Sequence, residues 1–189
     1  MEGGEFFNLR YHEERMNRTR RVFFGPGVAP ISLASFLRPA NIDGCVKYRV
    51  LYGENIEEVE CAPYKMRMVR SLRAISCDTI DYSYKSVDRG LINQLFTMRG
   101  DSDDVLIVRK GKLTDTSICN IAIFDGKDWL TPISPLLEGT MRASLLDAGT
   151  IKKADIYISD ITADTPIRVF NAMIPFGRLE CHIQTINVF

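Results

Sequence analysis

The sequence lacks the features that mark several specialised classes of protein. Its five cysteines, at 45, 61, 77, 119 and 181, are scattered and form no CxxC pair, and its two histidines cannot complete a zinc site at these spacings. No apolar run approaches the roughly 20 residues that cross a bilayer. The beginning of the sequence has no basic segment followed by an apolar one, so we expect no signal peptide. We therefore expect a cytoplasmic, reduced protein without a metal site and without a membrane partner.

The sequence also lacks an excess of charge of either sign. Its 24 lysines and arginines balance 24 acidic residues, so no overall field would attract nucleic acid or an anionic membrane. The basic run RMNRTRR at 15–21 is explained for the most part by the solvated face of a helix. With 189 residues, 46% of them hydrophobic, the chain can form one globular unit or two small lobes that share an interface.

The beginning of the sequence predicts a strand at 5–9 and a helix from about Arg10. That helix would carry on one face four residues spaced i, i+4, i+7 and i+11: His12, Met16, Thr19 and Phe23. Glycine and proline end it within 23–30, and a second, short helix is predicted at 31–37.

An alternating pattern then predicts a hairpin formed by strands at 46–53 and 56–64. Because proline cannot continue a central strand, Pro63 indicates the end of the first lobe. We place the lobes at 1–61 and 62–189, the first a small α+β lobe.

The remaining sequence predicts a larger, strand-rich lobe with two helices, which makes the protein α/β of mixed α+β type. A helix from Ser86 to Gly100 would carry an apolar stripe of Val87, Leu91, Ile92, Leu95 and Phe96, and a second helix is predicted at 139–149. Strands are predicted at 66–76, 79–84, 104–109, 118–125, 127–132, 168–176 and 181–189.

Five stretches carry more information in their order than any of them does alone. They are HEERM at 12–16, YKSVDR at 84–89, GKLTDTSICNIAIF at 111–124, WLTPISPLLEGTMRASLLDAG at 129–149 and FNAMIP at 170–175. Together they resemble the fold-type IV pyridoxal-phosphate enzymes, which include branched-chain and D-amino-acid aminotransferases and aminodeoxychorismate lyase. The resemblance runs over almost the whole chain and implies a two-lobed fold, pyridoxal 5'-phosphate as cofactor and a homodimer.

Lys85 corresponds to the lysine of that family. Taken alone, it is a polar residue at the end of an alternating run that contains Tyr82 and Tyr84, and most such lysines are solvated. The resemblance implies that its amine forms a Schiff base with the cofactor and moves the Cα proton of the substrate. A partly buried strand end beside a helix start would lower the pKa of this amine by desolvation and by the helix dipole. Asp88 and Arg89 would orient the lysine or pair with each other.

Asp115 lies thirty residues after Lys85, where the resemblance implies a carboxylate that keeps the pyridine nitrogen of the cofactor protonated. The family usually has glutamate at this place. With the shorter side chain, the ring must lie nearer the strand or a water must intervene. The alternative is that Asp115 only caps a hairpin turn.

Glycine and threonine at a helix start suit an anion, because backbone N–H groups and the helix dipole favour negative charge there. The resemblance implies that this turn binds the cofactor phosphate through Leu137, Gly139, Thr140 and Met141. Met141 can contribute only its backbone N–H. Without the resemblance, a glycine before a helix is a common turn.

Three further residues are assigned to the cofactor by the same resemblance. Arg15 would reach the phosphate from the first lobe, because an arginine fork suits phosphate geometry, although a surface ion pair is an alternative. Asn171 and Ala172 would lie near the phosphate or substrate, although their stretch is equally typical of a buried strand.

Two classes of function remain open on the sequence. The first is an enzyme that acts on a small amino substrate, either a lyase that eliminates pyruvate from 4-amino-4-deoxychorismate to give 4-aminobenzoate for folate, or an aminotransferase of branched-chain or D-amino-acid type. KSVDR, GTMR and FNAMIP resemble the lyase branch more. The second is a non-catalytic relative, favoured by Asp115 in place of glutamate and by the apparent lack of one N-terminal strand, which would expose a sheet edge.

Overall fold

The structure is a computed structural model that describes residues 1–162 and 164–186. The chain divides into two compact units, Met1–Met66 and Arg67–Phe189. The division falls after Pro63 because that proline is the last residue of a hairpin strand, so the boundary follows the hairpin.

The first unit contains one long helix and one hairpin, as the periodicity predicts. The helix α1 spans Leu9–Phe24, and the strands β1 (Val46–Tyr52) and β2 (Ile56–Pro63) pair antiparallel. The predicted helix at 31–37 is a single 3₁₀ turn at Leu33–Ser35. The predicted strand at 5–9 is wrong, because the chain turns tightly at Gly3 and Gly4 and then enters α1.

The basic face of α1 is less solvated than the sequence indicates. Met16 packs with Leu33 and Leu37 in the core of this unit, whereas Phe23, which was predicted on the same face, is exposed. Arg20 is buried, and its guanidinium donates hydrogen bonds to Asn17 Oδ1 and to the carbonyls of Ala29 and Glu54. Arg20 therefore ties the helix to two loops and does not face solvent.

The second unit is strand-rich and holds two helices, in the order β3 (Ser71–Ser76), α2 (Gly90–Thr97), β4 (Asp104–Arg109), β5 (Lys112–Thr116), β6 (Asn120–Phe124), β7 (Trp129–Pro132), α3 (Thr140–Asp147), β8 (Lys152–Ala154), β9 (Ile167–Phe170) and β10 (Glu180–Ile186). Within its described residues, eight strands form a sheet in the order β5-β4-β3-β10-β9-β6-β7-β8. A further pairing of β5 with β6, at Asp115 and Asn120, closes six of these strands into a ring.

Three features of this unit differ from the prediction. Residues 79–84 form turns and no strand, because the Asp81 carboxylate accepts hydrogen bonds from the backbone N–H and hydroxyl of Ser83. The helix α2 begins at Gly90 and not at Ser86. The side chain of Asp88, two residues before the helix, accepts a hydrogen bond from the Gly90 N–H and so caps the turn that precedes it. The strands β5 and β8 were not predicted, and 187–189 of the predicted last strand lie outside the described residues.

A buried apolar cluster joins α2 to the strands and to the loop that precedes α3: Ile75, Ile80, Ile92, Leu95, Val105, Ile107 and Leu136. A second cluster, of Ala122, Ile151 and Phe170, lies under α3, where Met141 and Leu145 pack against it. The first cluster fixes α2 and the loop before α3, and the second fixes α3 itself. No helix among residues 1–162 and 164–186 is both long and apolar enough to span a membrane.

Candidate active site

Lys85 lies exposed in a turn before α2, so the predicted partly buried strand end is wrong. Its backbone is left-handed, with φ of 54°, which a residue with a side chain rarely adopts without support from its neighbours. Its N–H donates to the carbonyl of Tyr82 at 3.3 Å, and its Nζ lies 6.0 Å from the centre of the Tyr82 ring. Tyr82 is therefore the residue that borders Lys85 on both its backbone and its side chain.

Arg89 connects this turn to the strand β5. Its Nη1 donates to the Tyr82 hydroxyl at 2.9 Å, and its Nη2 donates to the Ser117 carbonyl at 2.7 Å. Ser117 follows the end of β5 and lies two residues after Asp115. Tyr82 also packs against the apolar cluster that contains Leu136. The predicted alternative of an Asp88–Arg89 pair is not the arrangement described, because Asp88 accepts the N–H of Gly90.

Asp115 is buried, with 5% of its surface exposed. Its Oδ1 accepts a hydrogen bond of 2.8 Å from Asn120 Nδ2, and its Oδ2 accepts one of 2.8 Å from the backbone N–H of Leu137. Burial raises the pKa of Asp115 to about 6, although these bonds and the Arg142 charge act in the opposite direction. Asp115 thus lies within β5 and binds a loop twenty-two residues later, which is more than the cap of a local hairpin turn.

Asn120 holds the acid and the loop before α3 together. Its Nδ2 donates to Asp115 Oδ1 and also to the carbonyl of Leu137, at 2.9 Å. A Cβ added at Gly139 would lie only 1.9 Å from Asn120 Oδ1. Glycine is therefore required at 139 because the Asn120 side chain occupies the space that any other residue would need.

The turn that was predicted to bind an anion lies at the start of α3. Gly139 is the residue before the helix, and the first intrahelical hydrogen bond runs from Ala143 N to the Gly139 carbonyl, so the N–H groups of the first turn point out of the helix. Thr140 is buried there and Met141 is half-buried.

Arg142 was not predicted as part of this region, although its side chain fixes α3. Its Nε donates to Thr131 Oγ1 at 3.2 Å and its Nη2 to the Pro132 carbonyl at 2.7 Å. Burial lowers its pKa, while the charges of Asp115 and Glu138 act to raise it. A buried arginine that binds the end of β7 holds the helix start beside the acid.

Asn171 lies next to the turn between β5 and β6. Its Nδ2 donates to the Ile118 carbonyl at 3.1 Å, and its Oδ1 accepts the N–H groups of Met173 and Ile174. Ala172 is exposed in the same turn, which follows β9. Burial raises the pKa of the neighbouring Cys119 thiol to about 12, so this cysteine stays protonated at neutral pH and is a poor nucleophile.

An ion pair between a partly exposed arginine and a buried carboxylate, which sequence reasoning did not identify, supports the turn that contains Ser117. Arg67 Nη2 binds the carboxylate of Asp104, which is fully buried, and approaches Ser117 Oγ at 3.4 Å. The guanidinium of Arg67 lies 4.9 Å from the centre of the Phe96 ring. No sequence signal pairs residues so far apart along the chain, although the charged residue at the start of the buried DVLIVR strand is a hint.

The structure thus brings together Asp115, Leu137, Gly139 and Thr140, places Asn171 on the adjoining turn, and connects the Lys85 turn to them through Arg89. Arg15 lies half-buried on α1 in the first unit, and its predicted phosphate contact stays a prediction. Among the described residues there is no group of three or more His, Cys, Asp and Glu side chains arranged to hold a metal ion.

These residues fit pyridoxal phosphate on the chemistry they present. The phosphate would meet the start of α3, where the first-turn backbone N–H groups after Gly139 point out of the helix. Burial raises the pKa of the Asp115 carboxyl, and a protonated ring nitrogen would supply a positive charge that favours its ionised form. Lys85 is an exposed primary amine on the same unit.

Comparisons with known proteins point in one direction. A family model described as amino-transferase class IV matches residues 84–178. The chain is 35% identical over 176 residues to an uncharacterized protein of Haemophilus influenzae, covering 92% of this chain and 94% of that one. A crystal structure from Haemophilus somnus, described as a candidate 4-amino-4-deoxychorismate lyase, is 34% identical with a TM-score of 0.83 and covers 92% of this chain and 93% of that one. A candidate amino-acid aminotransferase from Mesorhizobium loti, 21% identical with a TM-score of 0.77 over 96% of this chain and 94% of that one, adds a likeness in fold.

Proposed function

The chain belongs to the amino-transferase class IV family, and on that premise we propose that it is a 4-amino-4-deoxychorismate lyase. Membership confirms the predicted mixed α/β fold of type IV and the predicted class of enzyme, one that depends on pyridoxal phosphate. The proposed reaction converts 4-amino-4-deoxychorismate into pyruvate and 4-aminobenzoate, with no second substrate.

The observation that carries the proposal is the pair of hydrogen bonds that Asp115 accepts. One comes from Asn120 and the other from the backbone N–H of Leu137. They join the acid assigned to the ring nitrogen to the loop assigned to the phosphate, so the two ends of one cofactor would be bound by one rigid assembly. Aspartate can serve in place of the glutamate usual in the family because the loop that contains Leu137 is hydrogen-bonded to Asp115.

Each residue then has a distinct task. When bound, pyridoxal phosphate acts as an electron sink for bonds at the substrate carbon that bears the amine. Lys85 would hold the cofactor covalently, and its amine would move the proton of the substrate carbon. Asp115 would keep the ring nitrogen protonated by its negative charge.

The phosphate would be held by backbone N–H groups of the segment Leu137 to Met141, with Gly139 and Thr140 at the helix start. Arg15 would add a charged fork from the first unit. Asn171 and Ala172 would border the phosphate or the substrate from the turn after β9.

Two observations favour the lyase over an aminotransferase of branched-chain or D-amino-acid type. The likeness to the Haemophilus somnus protein extends over nearly all of both chains. KSVDR, GTMR and FNAMIP also resemble the lyase branch of the family. The proposal further includes a cytoplasmic homodimer that makes a folate precursor, with a small amino compound as its only substrate.

The test is a product assay on the purified protein with added pyridoxal phosphate. 4-Amino-4-deoxychorismate should give equal amounts of pyruvate and 4-aminobenzoate. Lys85→Arg should abolish both products, because a guanidinium keeps the charge and cannot form the covalent bond. Lys110→Arg is the matched control, since Lys110 is also an exposed lysine with left-handed backbone, φ of 52°, and it should retain activity. Amino transfer to 2-oxoglutarate without release of pyruvate would identify an aminotransferase instead.

A further inference from the structure

The turn that carries Lys85 is held from both sides by one residue. The carbonyl of Tyr82 accepts the Lys85 N–H at 3.3 Å, and the Tyr82 hydroxyl donates to the Ser86 carbonyl at 3.0 Å. The N–H of Lys85 and the carbonyl of the next residue, Ser86, are therefore both bound to Tyr82. This clamp accounts for the left-handed backbone of Lys85, which needs support from its surroundings.

Tyr82 is itself fixed to the part of the structure that carries Asp115. Arg89 donates to the Tyr82 hydroxyl at 2.9 Å and to the Ser117 carbonyl at 2.7 Å, and its guanidinium lies 5.2 Å from the Tyr82 ring centre. The Tyr82 ring also packs against the apolar cluster that includes Leu136. A single arginine thus connects the lysine turn to the turn that follows the acid.

We propose that Tyr82 and Arg89 are positioning residues that set the place of the Lys85 amine relative to Asp115 and so determine how readily the lysine bonds to the cofactor. The proposal rests on the proposed function, because it assigns the two residues to the cofactor-attachment step. The proposal requires no contact between the cofactor and Tyr82 or Arg89. Their effect passes through the backbone of Lys85.

The geometry explains why both residues are needed. Lys85 is exposed on a turn and not on a strand, so no ladder of backbone hydrogen bonds limits its movement. In place of that ladder, the side chains of Tyr82 and Arg89 donate hydrogen bonds to the carbonyls of Ser86 and Ser117, and we call this pair of side chains the brace. A flexible lysine side chain whose amine is correctly placed before the reaction attaches the cofactor faster than one that must be ordered during the reaction.

The experiment compares Tyr82→Phe, Arg89→Gln and the double variant with wild type. Tyr82→Phe keeps the ring and its packing and removes only the hydroxyl. The control is Arg99→Gln, since Arg99 follows α2 and stacks on the Phe96 ring at 4.1 Å. Thermal unfolding of every variant measures how much protein is folded, so that a general loss of structure is separated from a local one.

Two readouts are measured, and the first needs no cofactor. Hydrogen exchange of the peptide that spans 81–90 should become faster in Tyr82→Phe and Arg89→Gln, while exchange around Lys110 stays at the wild-type rate. The second is the rate at which added pyridoxal phosphate forms its visible absorption band. We expect each single variant to lower that rate about tenfold, the effect of one lost hydrogen bond to a charged network, with the double variant no slower than the slower single one.

Several results would overturn the proposal. They are unchanged exchange at 81–90, attachment rates within twofold of wild type, additive losses in the double variant, or a loss that only follows the unfolded fraction or also occurs in Arg99→Gln. Failure of the proposed function is distinguishable, since wild-type protein would then form no band at all. Hydrogen exchange in the cofactor-free protein would in that case decide on the brace alone.

Discussion

Asp115 and Asn120 face each other where β5 pairs with β6, and the Asn120 amide donates a 2.8 Å hydrogen bond to the Asp115 carboxylate. This is the same pairing that closes the ring of strands in the second unit. The acid assigned to the cofactor is therefore held at the seam of the sheet. Substitutions there should change both stability and cofactor binding, and the two effects can be measured separately.

The pH dependence of stability should reveal Asp115. Burial raises its folded-state pKa to about 6, above the ordinary value of 3.8, so the folded protein binds this proton more tightly than the unfolded chain does. Its contribution is fully present below pH 3.8 and is lost as the pH rises through about 6. In cofactor-free protein, acidification from pH 7 to pH 4.5 should stabilise wild type relative to Asp115→Asn by roughly 1–2 kcal/mol, as measured by urea unfolding.

Asp125 provides the matched control for that measurement. It is exposed, and hydrogen bonds from the backbone of Asp128 and Lys127 hold its pKa below the ordinary value. The sign is opposite, so acidification should remove its stabilising effect, and wild type should lose stability relative to Asp125→Asn. A wild-type to Asp115→Asn difference that stays constant across this pH range would contradict the assigned environment of Asp115.

Gly139→Ala should destabilise the protein and weaken cofactor binding. The new Cβ would lie 1.9 Å from Asn120 Oδ1, so Asn120 must move and would strain its bonds to Asp115 and Leu137. We expect a loss of about 1–3 kcal/mol in the free energy of unfolding. Gly27→Ala, where no atom lies within 4 Å of the added Cβ, should change stability by less than about 0.5 kcal/mol. Equal effects of the two substitutions would exclude this packing.

Arg142→Met should lower stability because the buried carbonyl of Pro132 and the hydroxyl of Thr131 would lose their charged donor. A loss of about 2–3 kcal/mol is expected in urea unfolding. The exposed Arg178 serves as the control, and Arg178→Met should remain within about 0.5 kcal/mol of wild type. A neutral Arg142→Met would mean that the guanidinium does not fix α3.

Part of the fold follows directly from sequence periodicity. The helical spacing around Met16 and the alternation from Val46 predicted α1 and the first hairpin correctly, although Phe23 on the predicted face is exposed. The alternation of Tyr82 and Tyr84 was misleading because the side chain of Asp81 caps a turn there. A side chain that competes with the backbone for hydrogen bonds leaves only a weak trace in periodicity.

The candidate site shows the same limit. The family resemblance, carried by the order of the motifs, selected Asp115 and Gly139, which the structure joins through Asn120. Arg20 and Arg142 were not selected, because charge predicts exposure and the carbonyls that bury them come from other segments. Contacts between distant segments depend on the folded chain and have no local signal.

The most direct test of the central claim is to locate the attached cofactor on the chain. Wild-type protein is incubated with pyridoxal phosphate, treated with borohydride to make the lysine–cofactor bond permanent, digested, and mapped by mass spectrometry. We predict one cofactor per chain, carried by the peptide that contains Lys85, with Lys110 unmodified. Attachment at another lysine, or protein that carries no cofactor after this treatment, would contradict the assignment of Lys85 and with it the proposed enzyme.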